Sequence, residues 1–317
     1  MKINIFKIRP FSYMISVIMI ALLVFGIFVK KSKRDSAFLY SIEFTGGIQI
    51  ECTISSESDI ISPEHVKEYL EKKDHITGVS VRKLQGDRFV VRVATSDASD
   101  INTARIISLV KMFCSERDGI VCTINGSSFL GAGSGGALKQ RAIVAIFVAF
   151  ILMFFYVWWR FRSWAFGFAN SISLLHDILS VVLMILWFEY EVSMEIVGAI
   201  LFILGYSIND TIVIFSRIRE NMAKEKEFNA HDGGNFSDEK LGILIDKSIS
   251  ETLRRTILTS FFTMLVVLPL LLFGGVNLEP LSAAILLGIV FGTYSSIGIA
   301  SPVLYDSFKL RRYFIVK

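Results

Sequence analysis

GYSINDTIVIF, residues 205–215, has the composition of a membrane span, yet it carries Asn209 and Asp210. An isolated charge in hydrocarbon costs about 2.5–3.5 kcal/mol on insertion scales, so an ionisable side chain in a span defaults to a functional role. A carboxylate there can take up a proton on one side of a membrane and release it on the other. It can equally be a protonated carboxyl that packs one helix against another, or lie close enough to the cytoplasmic end for water to reach it. These readings stay open at this level.

The rest of the chain shows that the stretch belongs to a membrane protein. Hydrophobic residues make up 53% of the 317 and Phe alone counts 27, and the mean hydropathy is +0.56. Charged residues still reach 20%, so part of the chain is a water-soluble module. A formal net charge of +4 is too mild to suggest a nucleic-acid partner. Cys52, Cys114 and Cys122 allow one disulfide at most, and no framework of bridges. No CxxC or His/Cys cluster marks a metal site, and no cofactor is expected.

Six apolar stretches (12–29, 142–159, 164–188, 194–215, 257–273 and 281–305) can each cross ~30 Å of hydrocarbon. The first follows Lys2, Lys7 and Arg9 as a signal peptide would. Phe28, Val29, Lys30 and Lys31 leave no small-residue cleavage site, so an uncleaved span is expected. Arg160, Arg162, Arg217, Arg219, Lys309, Arg311, Arg312 and Lys317 flank one set of span ends, whereas 188–195 and 274–279 hold acids without Lys or Arg. The positive-inside rule then places both termini and the loop 216–256 in the cytoplasm, and 30–139 outside it.

The outer segment reads β-α-β-β-α-β. YSIEFTGGIQIECTI (40–54) is a strand by its β-branched content, and SPEHVKEYLEKK (62–73) a helix capped by Ser62 with Pro63 at its first position. VSVRKLQ (79–85) and RFVVRVAT (88–95) alternate about Gly86-Asp87 as a hairpin. ASDINTARIISLVKMF (98–113) has helical spacing and GIVCTIN (119–125) returns to strand. The fold class is therefore a polytopic α-helical membrane protein of six transmembrane helices, with a small α+β, ferredoxin-like extracytoplasmic domain between the first two. Its expected domains are 1–29 (tail and first helix), 30–139 (outer domain) and 140–317 (five helices). GAGSGG (131–136) fits GxGxxG but precedes a span, and Ala137 stands where a phosphate loop needs Lys, so a flexible hinge is expected. Inside 216–256, NAHDGGNFSD (229–238) precedes the amphipathic EKLGILIDKSISETL (239–253). That run reads as a helix along the membrane face or as a connector with a capped helix. No nucleotide motif is present, so any work must draw on a gradient or a partner.

Other polar groups enter the spans. Asp177 follows His176 in SISLLHDILSVV (171–182), roughly 20 Å from the start of its helix. The two could be a proton relay or a fixed structural pair. ETLRRTILTSFF (251–262) carries Arg254 and Arg255, of which one can snorkel and the other turn inward to pair with Asp210. Gly288, Gly292 and Gly298, around GTYSSIGIAS (292–301), suit close helix packing.

YSIEFTGGIQIE (40–51), GYSINDTIVIFSRIREN (205–221), TLRRTILTS (252–260) and GTYSSIGIASP (292–302) closely resemble the SecF family, subunits of the bacterial SecDF protein-translocation accessory complex within the resistance-nodulation-division superfamily. The resemblance covers essentially the whole chain. It implies a multi-pass protein of the bacterial inner membrane, not an enzyme, that assists SecYEG-dependent export under a proton or sodium gradient. It implies a SecD-like subunit, the SecYEG channel, a YajC-like accessory protein, the exported unfolded polypeptide and the lipid bilayer as partners. The family's membrane aspartate falls on Asp210, with Asn209 before it, its arginine on Arg255 and its His-Asp pair on His176 and Asp177. Ser216 departs from the pattern, standing where Asp is common. Two other readings are a passive anchor for an outer binding module, and an intramembrane aspartyl protease using Asp177 and Asp210.

Overall fold

The computed structural model describes residues 5–33, 36–56, 61–74, 79–83, 87–93, 103–117, 120–130, 132–228, 237–275 and 278–315. In chain order they form α1 (Ile5–Lys33), α2 (Ile42–Thr45), β1 (Gly47–Ser56), α3 (Pro63–Asp74), β2 (Val79–Lys83), β3 (Arg88–Val93), α4 (Thr103–Ser115) and β4 (Ile120–Leu130). Then follow α5 (Ala132–Phe161), α6 (Trp164–Phe188), α7 (Met194–Phe228), α8 (Asp238–Phe273), α9 (Glu279–Ser295), a π turn at Ser296–Ala300, and α10 (Ser301–Ile315). The chain divides into two compact units, Met1–Leu39 with Val144–Lys317, and Tyr40–Ile143.

In the smaller unit the strands form one antiparallel sheet in the order β2-β3-β1-β4. Alternate residues Ile48, Ile50, Cys52 and Ile54 of β1 point into a core shared with Val66 and Leu70 of α3 and Ile106, Val110 and Phe113 of α4. That alternation is the period of two that a half-buried strand requires. The single strand expected over 40–54 is interrupted: Ile42–Thr45 make a helical turn that ends at Gly46 (φ 72) and Gly47 (φ 126). Glycine tolerates those angles and other residues do not. A Cβ on Gly135 would lie 2.8 Å from the Phe44 carbonyl carbon, so the first turn of α5 packs tightly under that bend. The Gly-rich run expected as a flexible hinge is, from Ala132 on, the start of a helix whose small residues allow this approach. Of the expected hairpin turn, Asp87 is described, while Gly86 lies outside the described residues.

The larger unit holds the apolar helices. Among the described residues, six helices are long and apolar enough to cross a membrane: Arg9–Ser32, Gly135–Phe161, Trp164–Phe188, Met194–Glu225, Asp238–Phe273 and Glu279–Leu310. α1 is tied at both ends. Arg9 Nη1 donates to Asp306 at 2.9 Å with Tyr13 OH on the same carboxylate at 2.7 Å, and Lys30 pairs with Glu189. The two anchors are about 31 Å apart at helical rise, close to the thickness of a hydrocarbon core.

Two expectations for 216–256 change. α7 runs on to Phe228, and α8 is one helix from Asp238, capped by Ser237 accepting from Lys240 N–H at 3.3 Å. Residues 229–236 lie outside the described residues. Of the two readings of the amphipathic run, the capped helix is the one that forms. Leu241, Ile245 and Ile249, at helical spacing, pack with Phe215 and Ile218 of α7 and with Phe161 and Phe166. A packed apolar face removes more surface from water than an interfacial one, which explains the straight continuation into the span.

Candidate functional site

Asp210 sits on α7, 4% exposed, where α7 meets α8 and α9. Ser260 Oγ on α8 donates to its Oδ2 at 3.4 Å and lies 2.6 Å from Thr293 Oγ1 on α9. Thr293 itself donates to the Ile289 carbonyl at 2.7 Å. Tyr206 OH, one turn back on α7, reaches Ser260 Oγ and Thr263 Oγ1 at 3.4 and 3.3 Å. Serine is placed here because Leu244, Ser248, Thr252, Thr256 and Ser260 form a buried i, i+4 stripe along α8.

Arg255 is one residue, about 100° of helix, off that stripe. Its guanidinium is exposed and makes no ion pair with Asp210 among the described residues, against the expectation of a direct pair. Arg254, Arg255 and Asn209, all exposed, line an open groove of about 760 Å³ with Tyr206, Leu258 and Phe262.

Asp177 on α6 is fully buried and accepts from Ser207 Oγ of α7 at 2.6 Å. Its other oxygen, and both side-chain polar atoms of Asn170, meet no partner among the described residues. One turn from Asp177 on α6, Ser173 donates to Ser295 of α9 at 2.9 Å. Asn170, Ser173 and Asp177 share a face of α6, so a polar seam runs along that face. His176 does not join it. Its Nδ1 lies 3.2 Å from Ser16 Oγ of α1, and its ring sits about 6 Å from those of Phe291 and Tyr294. Consecutive helical residues point about 100° apart, so His176 and Asp177 serve different neighbours and are no mutual pair.

Close approach of α7 and α9 holds both clusters. A Cβ on Gly292 would lie 3.1 Å from Ser207 Cβ, and one on Gly288 would fall inside the Ile203 side chain. Gly288 and Gly292 are the small residues at i, i+4 that let backbones approach in a bundle.

The sequence singled out Asp210, Asn209, Arg255, His176 and Asp177, and the structure separates them into two clusters and a groove. Ser207, Ser173, Thr293 and Asn170 were not singled out. Spacing from Asp177 could have indicated Ser173 and Asn170, but a hydroxyl on another helix leaves no local signal. No group of three metal-ligating side chains able to hold an ion occurs among the described residues.

A family model described as protein export membrane protein SecD/SecF, C-terminal, matches residues 117–309. The Protein translocase subunit SecF of Haemophilus influenzae is 32% identical over 300 residues, covering 95% of this chain and 84% of that protein. Its counterpart in Sebaldella termitidis is 34% identical over 311 residues, covering 96% and 92%. The crystal structure of SecDF from Thermus thermophilus, a translocon-associated membrane protein, superposes with a TM-score of 0.76 at 31% identity. That match covers 95% of this chain but 38% of the longer SecDF chain.

Proposed function

The chain belongs to the SecD/SecF family of protein-export membrane proteins, and on that premise we propose that it is a SecF-like subunit coupling an ion gradient to export through Asp210. Its relatives are translocase subunits and not enzymes. The protease reading also lacks geometry, since Asp177 and Asp210 bond to Ser207 and Ser260 rather than to each other.

One observation carries the reading: Asp210 is buried among spans at the end of a hydroxyl chain, Ser260 and Thr293, whose protons can point either way. Ser260 and Thr293 have one hydroxyl proton each, and either can donate across the 2.6 Å contact between them. With Asp210 ionised, Thr293 donates to Ser260 and Ser260 to the carboxylate. With Asp210 protonated, Asp210 donates to Ser260, Ser260 to Thr293 and Thr293 to the carbonyl, and each donor is used. The two states are thus held by opposite proton directions along one chain. A charge moved across the full membrane field is worth ~2.3 kcal/mol per 100 mV, enough to bias a conformational cycle. Asn209 would line the route to the groove, and Asp177 and His176 would serve as a second polar relay and a fixed support.

The remaining assignments follow the same premise. The β-α-β-β-α-β unit is a ferredoxin-like, extracytoplasmic domain that grips exported polypeptide, and both termini are cytoplasmic in the inner membrane. The exposed groove with Arg254 and Arg255 in a candidate span, and the exposed Phe262 and Val266 on α8, fit a SecD-like partner. A fused SecDF chain among the relatives supports that partner. SecYEG and a YajC-like protein complete the proposed assembly.

The test is Asp210→Asn, co-expressed with the SecD-like subunit, in membrane vesicles with and without an imposed gradient. Normal assembly with loss of gradient-dependent stimulation supports the reading. Undiminished stimulation reduces Asp210 to a packing residue.

A further inference from the structure

The sheet of the smaller unit has two edges, and they are built differently. β2 forms one of them, with five residues that include Arg82 and Lys83. Short length and basic residues are common guards of a strand edge against stray pairing. β4 forms the other edge. It runs for 11 residues, IVCTINGSSFL, without a charged residue or a proline. Among the described residues it pairs with β1 alone, so the backbone N–H and C=O groups along its other side are open to a further strand.

β4 changes character along its length. Ile120, Cys122 and Ile124 pack against the core. The register then slips by one residue at Asn125, because Glu51 stands across from Gly126 and Cys52 across from Ile124. Beyond this bulge the core no longer covers the strand: residues 125–129 are all exposed. Successive strand residues point to opposite faces, so both faces of β4 are bare there. A Cβ on Gly126 would meet nothing within 4 Å. Asn125, Gly126, Ser127 and Ser128 are small and polar, and Phe129, 46% exposed, is the one large apolar side chain of this run.

We propose that the open edge of β4, over residues 125–129, holds exported polypeptide by adding an extended segment of it to the four-stranded sheet. The inference rests on the export function and the extracytoplasmic placement proposed above. The chemistry of an edge selects the kind of partner. Donors and acceptors that alternate along a strand are satisfied together by the main chain of another extended segment, whatever its sequence. The side chains select a changing partner over a fixed one. Permanent interfaces are markedly apolar, whereas residues 125–128 offer small polar groups that favour no particular side chain opposite them. The lack of charge on β4 also repels neither acidic nor basic segments. The bulge limits the pairing to a short run, so the hold is brief and reversible.

The experiment uses the full chain assembled with its SecD-like subunit in membrane vesicles. A photoreactive benzoylphenylalanine replaces Ser127 or Ser128, and, as controls, the exposed Lys83 on β2 or Glu64 on α3. The probe is a secretory precursor arrested part-way across the membrane, in two versions with unrelated mature sequences. The expected result is a precursor cross-link from Ser127 and Ser128 with both versions, and none above background from Lys83 or Glu64. Ser127→Lys with Phe129→Lys gives β4 the guard that β2 carries, and should abolish the cross-link from Ser128 with assembly intact. Cross-linking that survives the two lysines overturns the proposal. So do equal yields at the control positions, a yield confined to one precursor sequence, or a cross-link to the SecD-like subunit in place of the precursor. Gradient-dependent export is followed in the same vesicles. Export that keeps its gradient dependence without a cross-link from β4 overturns the edge and leaves the export function standing. A cross-link without gradient-dependent export upholds the edge and overturns the coupling, and the absence of both overturns both.

Discussion

Ser207 on α7 donates a 2.6 Å hydrogen bond to Asp177 on α6, and Asp210 stands three residues further along α7. Adjacent residues of α9 touch both sides of this arrangement: Gly292 meets Ser207, and Thr293 meets the Ser260 that serves Asp210. A shift of α9 along α7 therefore changes the surroundings of both carboxylates at once, which ties their behaviour in a way neither has alone.

Ser207→Ala removes the donor of a fully buried carboxylate, at a cost of about 1–3 kcal/mol. Thermal unfolding in detergent should show the loss. It should shrink in an Asp177→Asn background, where no charge awaits the hydroxyl. Additive effects in this double-mutant cycle would mean that the bond contributes nothing specific.

Gly288→Val should weaken the α7–α9 contact, because its side chain would occupy the space of Ile203. Overpacking of this kind typically costs about 1–3 kcal/mol. Ile203→Ala in the same chain should recover most of the lost melting temperature. If it does not, the two helices are not held by this fit.

Asn170→Ala deletes a buried amide that has no partner among the described residues. Its removal should leave the melting temperature unchanged or higher, since an unpaired buried amide is a cost rather than a contact. Gradient-driven export should fall if the seam carries function. A fall in stability instead would show that the amide is satisfied and structural.

Arg255 lines the groove and makes no guanidinium–carboxylate fork with Asp210 among the described residues. Arg255→Lys should therefore keep most of the gradient-dependent stimulation, and Arg255→Ala should lose it. Loss in both variants, with assembly intact, would point to a bidentate contact made in another conformation.

The sequence by itself determined the apolar spans, the β-α-β-β-α-β order and the carboxylates inside helices, because hydrophobic periodicity and the rarity of charge in hydrocarbon are local signals. It also carried the family, through the GYSIND…RIREN block. Only the tertiary structure decided which groups meet. Arg255 faces a groove because it lies one residue off the stripe of Thr256 and Ser260, and the sequence alone could not say which helix that stripe would face. His176 and Asp177, adjacent in the chain, part company because a helix turns about 100° between them. The three cysteines, which by their count allow one disulfide at most, share one core because strand register and helix packing bring distant positions together, and neither is encoded within any one segment.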